Sequence, residues 1–156
     1  MATLTGPKAA STAPVPGLPV PTGVPGIAWG YYNFTAAASS ADIVDICKVP
    51  AGATVILGFF QGADIDTGTE ALDIDIGWRA NGTDAADPDG FGNFGVLSGD
   101  VVAELKPVAG LWNPLTNILQ DSGFKTFAAE TTISVTITAA ANAGGTGIIK
   151  VVLFYV

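Results

Sequence analysis

An acidic segment from Phe59 to Trp78 carries the residue types of this chain that are best suited to chemistry. The sequence FFQGADIDTGTEALDIDIGW places four aspartates and one glutamate among isoleucine, leucine and glycine residues. Converging carboxylates bind Ca²⁺, and a pair of them performs acid–base catalysis in glycosidases. Alternatively, acidic side chains on the outer side of a β-strand keep a sheet soluble and its edges unpaired. We favour this last, structural interpretation.

The first acidic loop matches a helix-flanked calcium loop only in part. Asp64, Asp66 and Asp75 stand at positions one, three and twelve of an EF-hand template. Gly68 then occupies position five, where an oxygen ligand belongs, and Thr69 replaces the glycine of position six. The flanking residues predict strands instead of helices. An EF-hand is therefore excluded.

Calcium sites of another kind stay open as hypotheses, with solvated turns as the alternative. One site would use the acids of the first loop, and the other would use the acids of a later, aspartate-rich loop. The two candidate sets are Asp64, Asp66 and Glu70, and Asp84, Asp87 and Asp89. We do not predict that either set binds a metal ion.

A catalytic carboxylate pair is a further hypothesis for the same segment. Asp73 and Asp75 alternate with apolar residues on a predicted strand, so their side chains lie on one side about 7 Å apart. A glycosidase pair also needs a groove, a raised pKa on one acid and aromatic platforms for the sugar, and no groove is marked in the sequence. Histidine is absent from the chain, which excludes Ser-His-Asp and Cys-His catalysis. We predict that the protein is not an enzyme and needs no cofactor.

The aromatic residues divide into core and surface candidates. Trp78 is in phase with the apolar residues of its predicted strand, which marks it as core. Trp112 lies in a predicted loop, GLWNPL, and is the best candidate for an exposed aromatic. Trp29 and Tyr31 follow a proline-rich segment, and we expect them to anchor it. Exposed tryptophans can also form sugar-stacking platforms, which keeps carbohydrate binding open as an alternative.

The elements that must position these residues are β-strands. Apolar and polar residues alternate in EALDIDIGW and in TTISVTITAA, and IAWGYYNF, DIVDICKV and IIKVVLFYV also predict strands. The run ATVILGFF predicts a strand buried on both faces. A short helix is predicted within DVVAELKP, from Asp100 to the residue before Pro107. About eight strands with little helix predict an all-β fold, an antiparallel β-sandwich, with jelly-roll topology as the first choice.

The N-terminal arm, residues 1–26, is predicted to be extended because it holds six of the ten prolines. We expect it to lie along the surface of its own chain or of a neighbouring chain. Residues 27–156 then form the single β-sandwich domain, which suits a chain of 156 residues. The partner contacts predicted in the arm are Pro14, Pro16, Pro19 and Pro21, joined by Trp29, Tyr31 and Trp112 in the domain.

Composition narrows the classes of partner. Charged residues make up only 13% of the chain, which is low for a free monomer and indicates a surface covered by partners. The net charge of −8 opposes binding to nucleic acid. No apolar run is long enough to span a membrane, so we expect a soluble protein made in a cytoplasm. The lone Cys47 excludes an intrachain disulfide and predicts a small buried residue.

Two segments carry a resemblance to a known family. The first, VDICKVPAGATVILGFFQGADIDTGTEALDIDIGWRANGTD, and the last, FKTFAAETTISVTITAAANAGGTGIIKVVLFYV, resemble small virion structural proteins of tailed phages, of the capsid decoration (cement) type. The resemblance implies a protein on the capsid exterior, assembled in the host cytoplasm. Its partners would be the major capsid protein and copies of itself, as a homotrimer, and it would stabilise the mature head.

Two other functions remain open at this point. One is a tail- or fibre-associated module that binds host glycans through Trp112 and the loop from Asp84 to Asp89, with or without calcium. The other is the major coat protein of a small virus, because jelly rolls also build whole shells. Glycan binding would distinguish the first alternative, and self-assembly into closed particles the second.

Overall fold

The computed structural model describes residues 1–18, 24–66, 69, 71–96, 111–120, 124–143 and 146–156. In these residues the chain forms ten strands and one helical turn. They are β1 (Thr3–Thr5), β2 (Gly26–Phe34), β3 (Ile43–Val49), β4 (Thr54–Gly62), β5 (Asp73–Trp78), β6 (Asp87–Val96), β7 (Asn113–Pro114), α1 (Asn117–Gln120), β8 (Lys125–Thr126), β9 (Thr131–Ala139) and β10 (Gly147–Tyr155). The helix predicted between Asp100 and Pro107 lies outside the described residues.

The strands form two sheets with jelly-roll topology. Sheet A has the order β1-β3-β9-β5-β6, and sheet B has the order β2-β10-β4-β7, with β8 also paired to β4. All strand pairs are antiparallel except β1 with β3. Without β1, each sheet interleaves strands from both halves of the chain, as two Greek keys do. The predicted β-sandwich and its jelly-roll topology are therefore confirmed. No described helix is long and apolar enough to cross a membrane.

The core lies between the sheets and follows the predicted alternation. Ile74 and Ile76 on β5 are fully buried, as are the inward residues of β9 and β10. Trp78 completes the core at one end, where its ring lies 5.0 Å from Phe91 and 5.3 Å from Phe127, measured between ring centroids. Tilted and edge-on aromatic pairs of this kind add stability beyond the apolar area that they bury. Trp78 is thus a core residue, as its phase predicts.

Two strands show features that the sequence patterns do not predict. In β3, a β-bulge between Asp45 and Cys47 shifts the phase of the side chains. Cys47 is buried, as predicted, and burial raises the pKa of its thiol to about 12. In β4, burial on both faces is wrong: Phe60 is fully buried, but Phe59 is only half-buried on the outer side.

Sheets A and B approach each other closely where β2 passes β3. A Cβ atom at Gly30 would lie 2.1 Å from the carbonyl oxygen of Ile46 and 2.8 Å from its carbonyl carbon. Both atoms belong to backbone, so they cannot move aside as a flexible side chain does. Glycine at this position therefore permits the edge of the sandwich to close.

The described part of the N-terminal arm lies against its own domain. Thr3–Thr5 pair with β3 as a parallel edge strand, and the Lys8 ammonium lies 5.1 Å from the centre of the Trp29 ring. The Tyr155 hydroxyl donates a 2.8 Å hydrogen bond to the carbonyl oxygen of Gly17. Strand β2 begins at Gly26. The division of the chain into an arm and a domain stays a prediction.

Candidate interaction surfaces

The outer side of sheet B forms an exposed apolar face. Cross-strand pairing aligns Trp29 with Val152 and Val152 with Phe59. The neighbouring cross-strand row, Ile27, Phe154 and Leu57, is also apolar. The apolar face comprises Ile27, Trp29, Leu57, Phe59, Trp112, Val152 and Phe154. These residues occupy the outward positions of strands whose alternate residues fill the core.

This apolar face is unusually open for the surface of a single chain. Ile27 is 51% exposed, Trp29 is 49% exposed and Trp112 is 50% exposed. Trp112 also lines a shallow groove of about 360 Å³ with Phe59, Val152 and Phe154. Large exposed apolar patches on soluble proteins mark binding surfaces, and aromatic residues supply much of the binding energy at interfaces.

The structure brings together several of the predicted contact residues. Trp29 and Trp112, far apart in sequence, both belong to the apolar face, and half-buried Tyr31 borders it in a row with Lys150. Pro14 and Pro16 line a small cleft of about 80 Å³ beside Trp29. Pro19 and Pro21 lie outside the described residues. The sequence did not reveal that β10 contributes to the apolar face. Val152 and Phe154 lie in a continuous apolar run, which is typical of a strand buried in the core.

The carboxylate of Asp66 accepts hydrogen bonds from backbone groups that the sequence did not predict. Its Oδ2 accepts backbone hydrogen bonds from Ala71 (2.6 Å) and Leu72 (2.9 Å), and its Oδ1 accepts them from Asn142 (2.9 Å) and Ala143 (3.1 Å). Burial by itself would raise the pKa of Asp66, but these four bonds outweigh it and hold the pKa below its usual value. The carboxylate therefore joins the β4–β5 loop to the β9–β10 loop.

The other acids of the two calcium hypotheses are placed differently. Asp64 is exposed, and Glu70 lies outside the described residues. Asp84 accepts 2.8 Å hydrogen bonds from Lys125 and Asn81, which lower its pKa to about 2 together with a bond from the Ala128 amide. Both carboxylate oxygens of Asp84 thus accept hydrogen bonds from within the chain. Within the described ranges, no three acidic or cysteine side chains converge as metal ligands.

A second surface, on the outer side of sheet A, is acidic. The acidic patch comprises Asp73 and Asp75 of β5 and Asp89 of β6, which lies close enough to repel Asp75. Asp87 of β6 pairs with the core residue Trp78, and its pKa is raised, first by burial and then by nearby Asp89. Asp73 and Asp75 each have one buried carboxylate oxygen without a hydrogen bond.

Asp75 is the most enclosed member of the acidic patch. It is only 8% exposed, so this acid does not face open solvent. Its neighbours across the sheet are Thr136 of β9 and Asn93 of β6. Burial, followed by repulsion from Asp89 and Asp73, raises its pKa to about 6. Alternation predicts the side on which Asp75 lies but not how closely its neighbours enclose it.

Replacing Asp75 with asparagine is expected to stabilise the protein at pH 7.5 by about 1 to 2 kcal/mol. The folded-state pKa of about 6 lies above the ordinary value of 3.8, so native stability decreases as the pH rises through this window. One pKa unit corresponds to about 1.4 kcal/mol, and solvent screening near the surface reduces the contribution of this carboxylate to about 1 to 2 kcal/mol. Urea unfolding of both forms at pH 7.5 and pH 4 measures the difference, which should vanish at pH 4.

The exposed-site variant Asp64→Asn is the control for the Asp75 substitution. It is expected to change the free energy of unfolding by less than about 0.5 kcal/mol at either pH. A destabilised Asp75→Asn protein at pH 7.5 would contradict the prediction, since it would mean that the carboxylate forms favourable contacts in the folded chain.

Three solved chains have folds similar to this one. A chain of the capsid asymmetric unit of cyanophage Pam1 is 20% identical, with a TM-score of 0.62 over 94% of both chains. A chain of the capsid of Ralstonia phage GP4 is 16% identical, with a TM-score of 0.63 over 99% of this chain and 97% of that one. A chain of the acidic stable capsid structure of Helicobacter pylori bacteriophage KHP30 is 14% identical, with a TM-score of 0.56 over 85% and 88%. This likeness concerns the fold. No protein-family model and no curated protein matches the sequence.

Proposed function

We propose that this chain is a non-enzymatic structural protein of a phage virion, of the decoration type, which binds the outer surface of the capsid shell and stabilises the mature head. The apolar face of sheet B carries this proposal. The described arm contacts this face only beside Ile27 and Trp29, and burying the exposed aromatic and aliphatic side chains against a partner would release water from a large apolar area. The fold is similar to that of chains from three phage capsids.

In this proposal the apolar face packs against shell subunits, and copies of the chain associate into a homotrimer. The described part of the arm lies on its own domain, where it would widen the surface that meets a neighbouring copy, and a proline-rich segment loses less conformational entropy when it becomes ordered. Preferential binding to the expanded shell would stabilise that state by mass action. The scarcity of charged residues, 13% of the chain, suits a surface that is largely buried after assembly.

The test is binding of the purified chain to heads of the encoding phage that were prepared without it. Val152→Asp places a charge in the centre of the apolar face, where desolvating it would weaken binding at least about tenfold. Ile148→Asp is the matched control: it lies on the same side of the same strand, is 37% exposed and borders polar Gln61 and Lys150. Occupancy is measured by co-sedimentation, and native mass is measured for both variants.

Three outcomes would overturn the proposal. Equal occupancy of the two variants would remove the apolar face from shell binding. A wild-type chain that does not bind the heads would exclude a decoration role, and closed particles formed by the chain alone would indicate a major coat protein. Unfolding temperatures of both variants close to that of the wild type would show that binding, and not folding, was changed.

A further inference from the structure

The acidic patch of sheet A combines negative charge with unmet hydrogen-bonding capacity. Asp75 is more than nine-tenths buried, yet its Oδ1 has no hydrogen-bond donor, and the same holds for Oδ1 of Asp73. Asp89 adds a further negative charge from the neighbouring strand. A buried carboxylate oxygen without a donor destabilises the chain that carries it. This arrangement is unfavourable in the isolated chain, and a positive charge placed against the patch would offset the repulsion among its carboxylates.

Three cations of the described chain pair with other acids. Lys48 pairs with Glu130 at 3.1 Å, and Lys125 pairs with Asp84 at 2.8 Å. Arg79, on the same side of sheet A, lies toward Asp45, with 3.8 Å between its Nε and the carboxylate Oδ1, while its Nη1 has no hydrogen-bond acceptor. Among the described residues, no lysine or arginine is paired with Asp73, Asp75 or Asp89. The described part of the chain therefore places no cation on these three carboxylates.

We infer that the acidic patch receives a lysine or arginine side chain of the shell subunit to which the protein binds, with Asp73 and Asp75 accepting its N–H groups. This inference rests on the proposed function and specifies the chemistry of the partner surface. An ammonium or guanidinium group supplies several donors as well as charge. The net charge of −8 steers the chain toward a basic surface during approach.

A polypeptide cation fits the patch better than a metal ion does. Calcium requires six to eight oxygen ligands, whereas in the described parts of the chain no group of three acidic or cysteine side chains is placed to hold an ion. A shallow groove of about 330 Å³ adjoins the patch, lined by Ile43, Arg79, Pro88 and Thr136 among others. Thr136 lies directly beside Asp75 across the sheet. The groove offers apolar surface for the methylene stem of a lysine or arginine.

The experiment compares two double variants with equal changes in charge. Asp73→Asn/Asp75→Asn removes two negative charges from the patch, and Asp64→Asn/Glu130→Gln removes two exposed charges from other places. Binding of each variant to decoration-free heads is titrated at 50 mM and 300 mM salt. The patch variant is expected to bind about thirtyfold more weakly than the wild type at low salt, with reduced salt dependence. The control variant should stay within about threefold.

Each outcome supports or overturns the inference. If the wild type binds heads and the two variants behave alike, the inference fails while the proposed function stands. If the wild type does not bind heads, the proposed function fails first. A calcium-dependent rise in the melting temperature of the wild type, absent from the patch variant, would replace the partner cation with a metal ion and overturn the inference.

Discussion

Replacing Asp66 with alanine is expected to lower the free energy of unfolding by about 4 kcal/mol at pH 7, the largest effect of any single side chain considered. The substitution leaves four backbone N–H groups, those of Ala71, Leu72, Asn142 and Ala143, without their acceptor. Each buried group that loses its partner destabilises a protein by about 1 to 3 kcal/mol. Urea unfolding followed by tryptophan fluorescence measures the change.

The pH dependence of the Asp66 effect has a definite sign. The folded-state pKa of Asp66 is lowered, so its contribution is present above the unfolded-state pKa, near 4, and is lost as the pH falls through the folded-state value. The difference between wild type and variant should therefore shrink below pH 4. Asp66→Asn keeps the size but offers one acceptor oxygen in place of two, and it should lose about half as much stability.

The matched control for Asp66 is Asp64→Ala, two residues earlier in the same loop. Asp64 is exposed, so its loss should change the free energy of unfolding by less than about 0.5 kcal/mol. A loss of less than 1 kcal/mol for Asp66→Ala would mean that water replaces the carboxylate and that the two loops do not depend on it.

Replacing Gly30 with alanine is expected to destabilise the sandwich by at least about 3 kcal/mol. The new Cβ would lie 2.1 Å from the Ile46 carbonyl oxygen, so β2 and β3 would have to separate, and overpacking a fixed backbone is costly. For a domain of this size the melting temperature should fall by about 8 °C or more. Calorimetry of the purified variant measures the shift.

Gly17→Ala provides the comparison for Gly30, because a Cβ at Gly17 meets no atom within 4 Å. Its melting temperature should stay within about 2 °C of the wild type. An unchanged melting temperature for Gly30→Ala would show that the two sheets can separate at this edge at little energetic expense.

The sandwich could be predicted from the sequence because its strands are amphipathic. Ile74 and Ile76 alternate with acids on β5, and this period of two specifies both the strand and its inward side. The bulge in β3 could not be predicted, since it depends on how two strands align and leaves no separate mark in composition. The proposed arm contacts and the trimer stay predictions.

The candidate sites were predictable only in part. Trp29 and Trp112 were identified singly, but their common face follows from the pairing of β2, β10 and β4, which the sequence does not give. Asp66 resembled a calcium ligand because its neighbours are acidic, whereas two of its four partners lie 76 and 77 residues away in another loop. Backbone N–H donors that lie far away in the sequence cannot be identified from residue types, because every residue except proline has the same N–H group.

The position of β10 has a consequence for synthesis of the protein. Strand β10 is the last of the described strands to be synthesised, yet it lies between β2 and β4 at the centre of sheet B. Its first residue, Gly147, pairs with Phe34 of β2. Sheet B therefore cannot assemble during most of translation, and the backbone edges of β2 and β4 that will pair with β10 stay unpaired until it is made. A polypeptide truncated before residue 147 would lack the strand that joins β2 to β4, and its sheet B would stay unassembled.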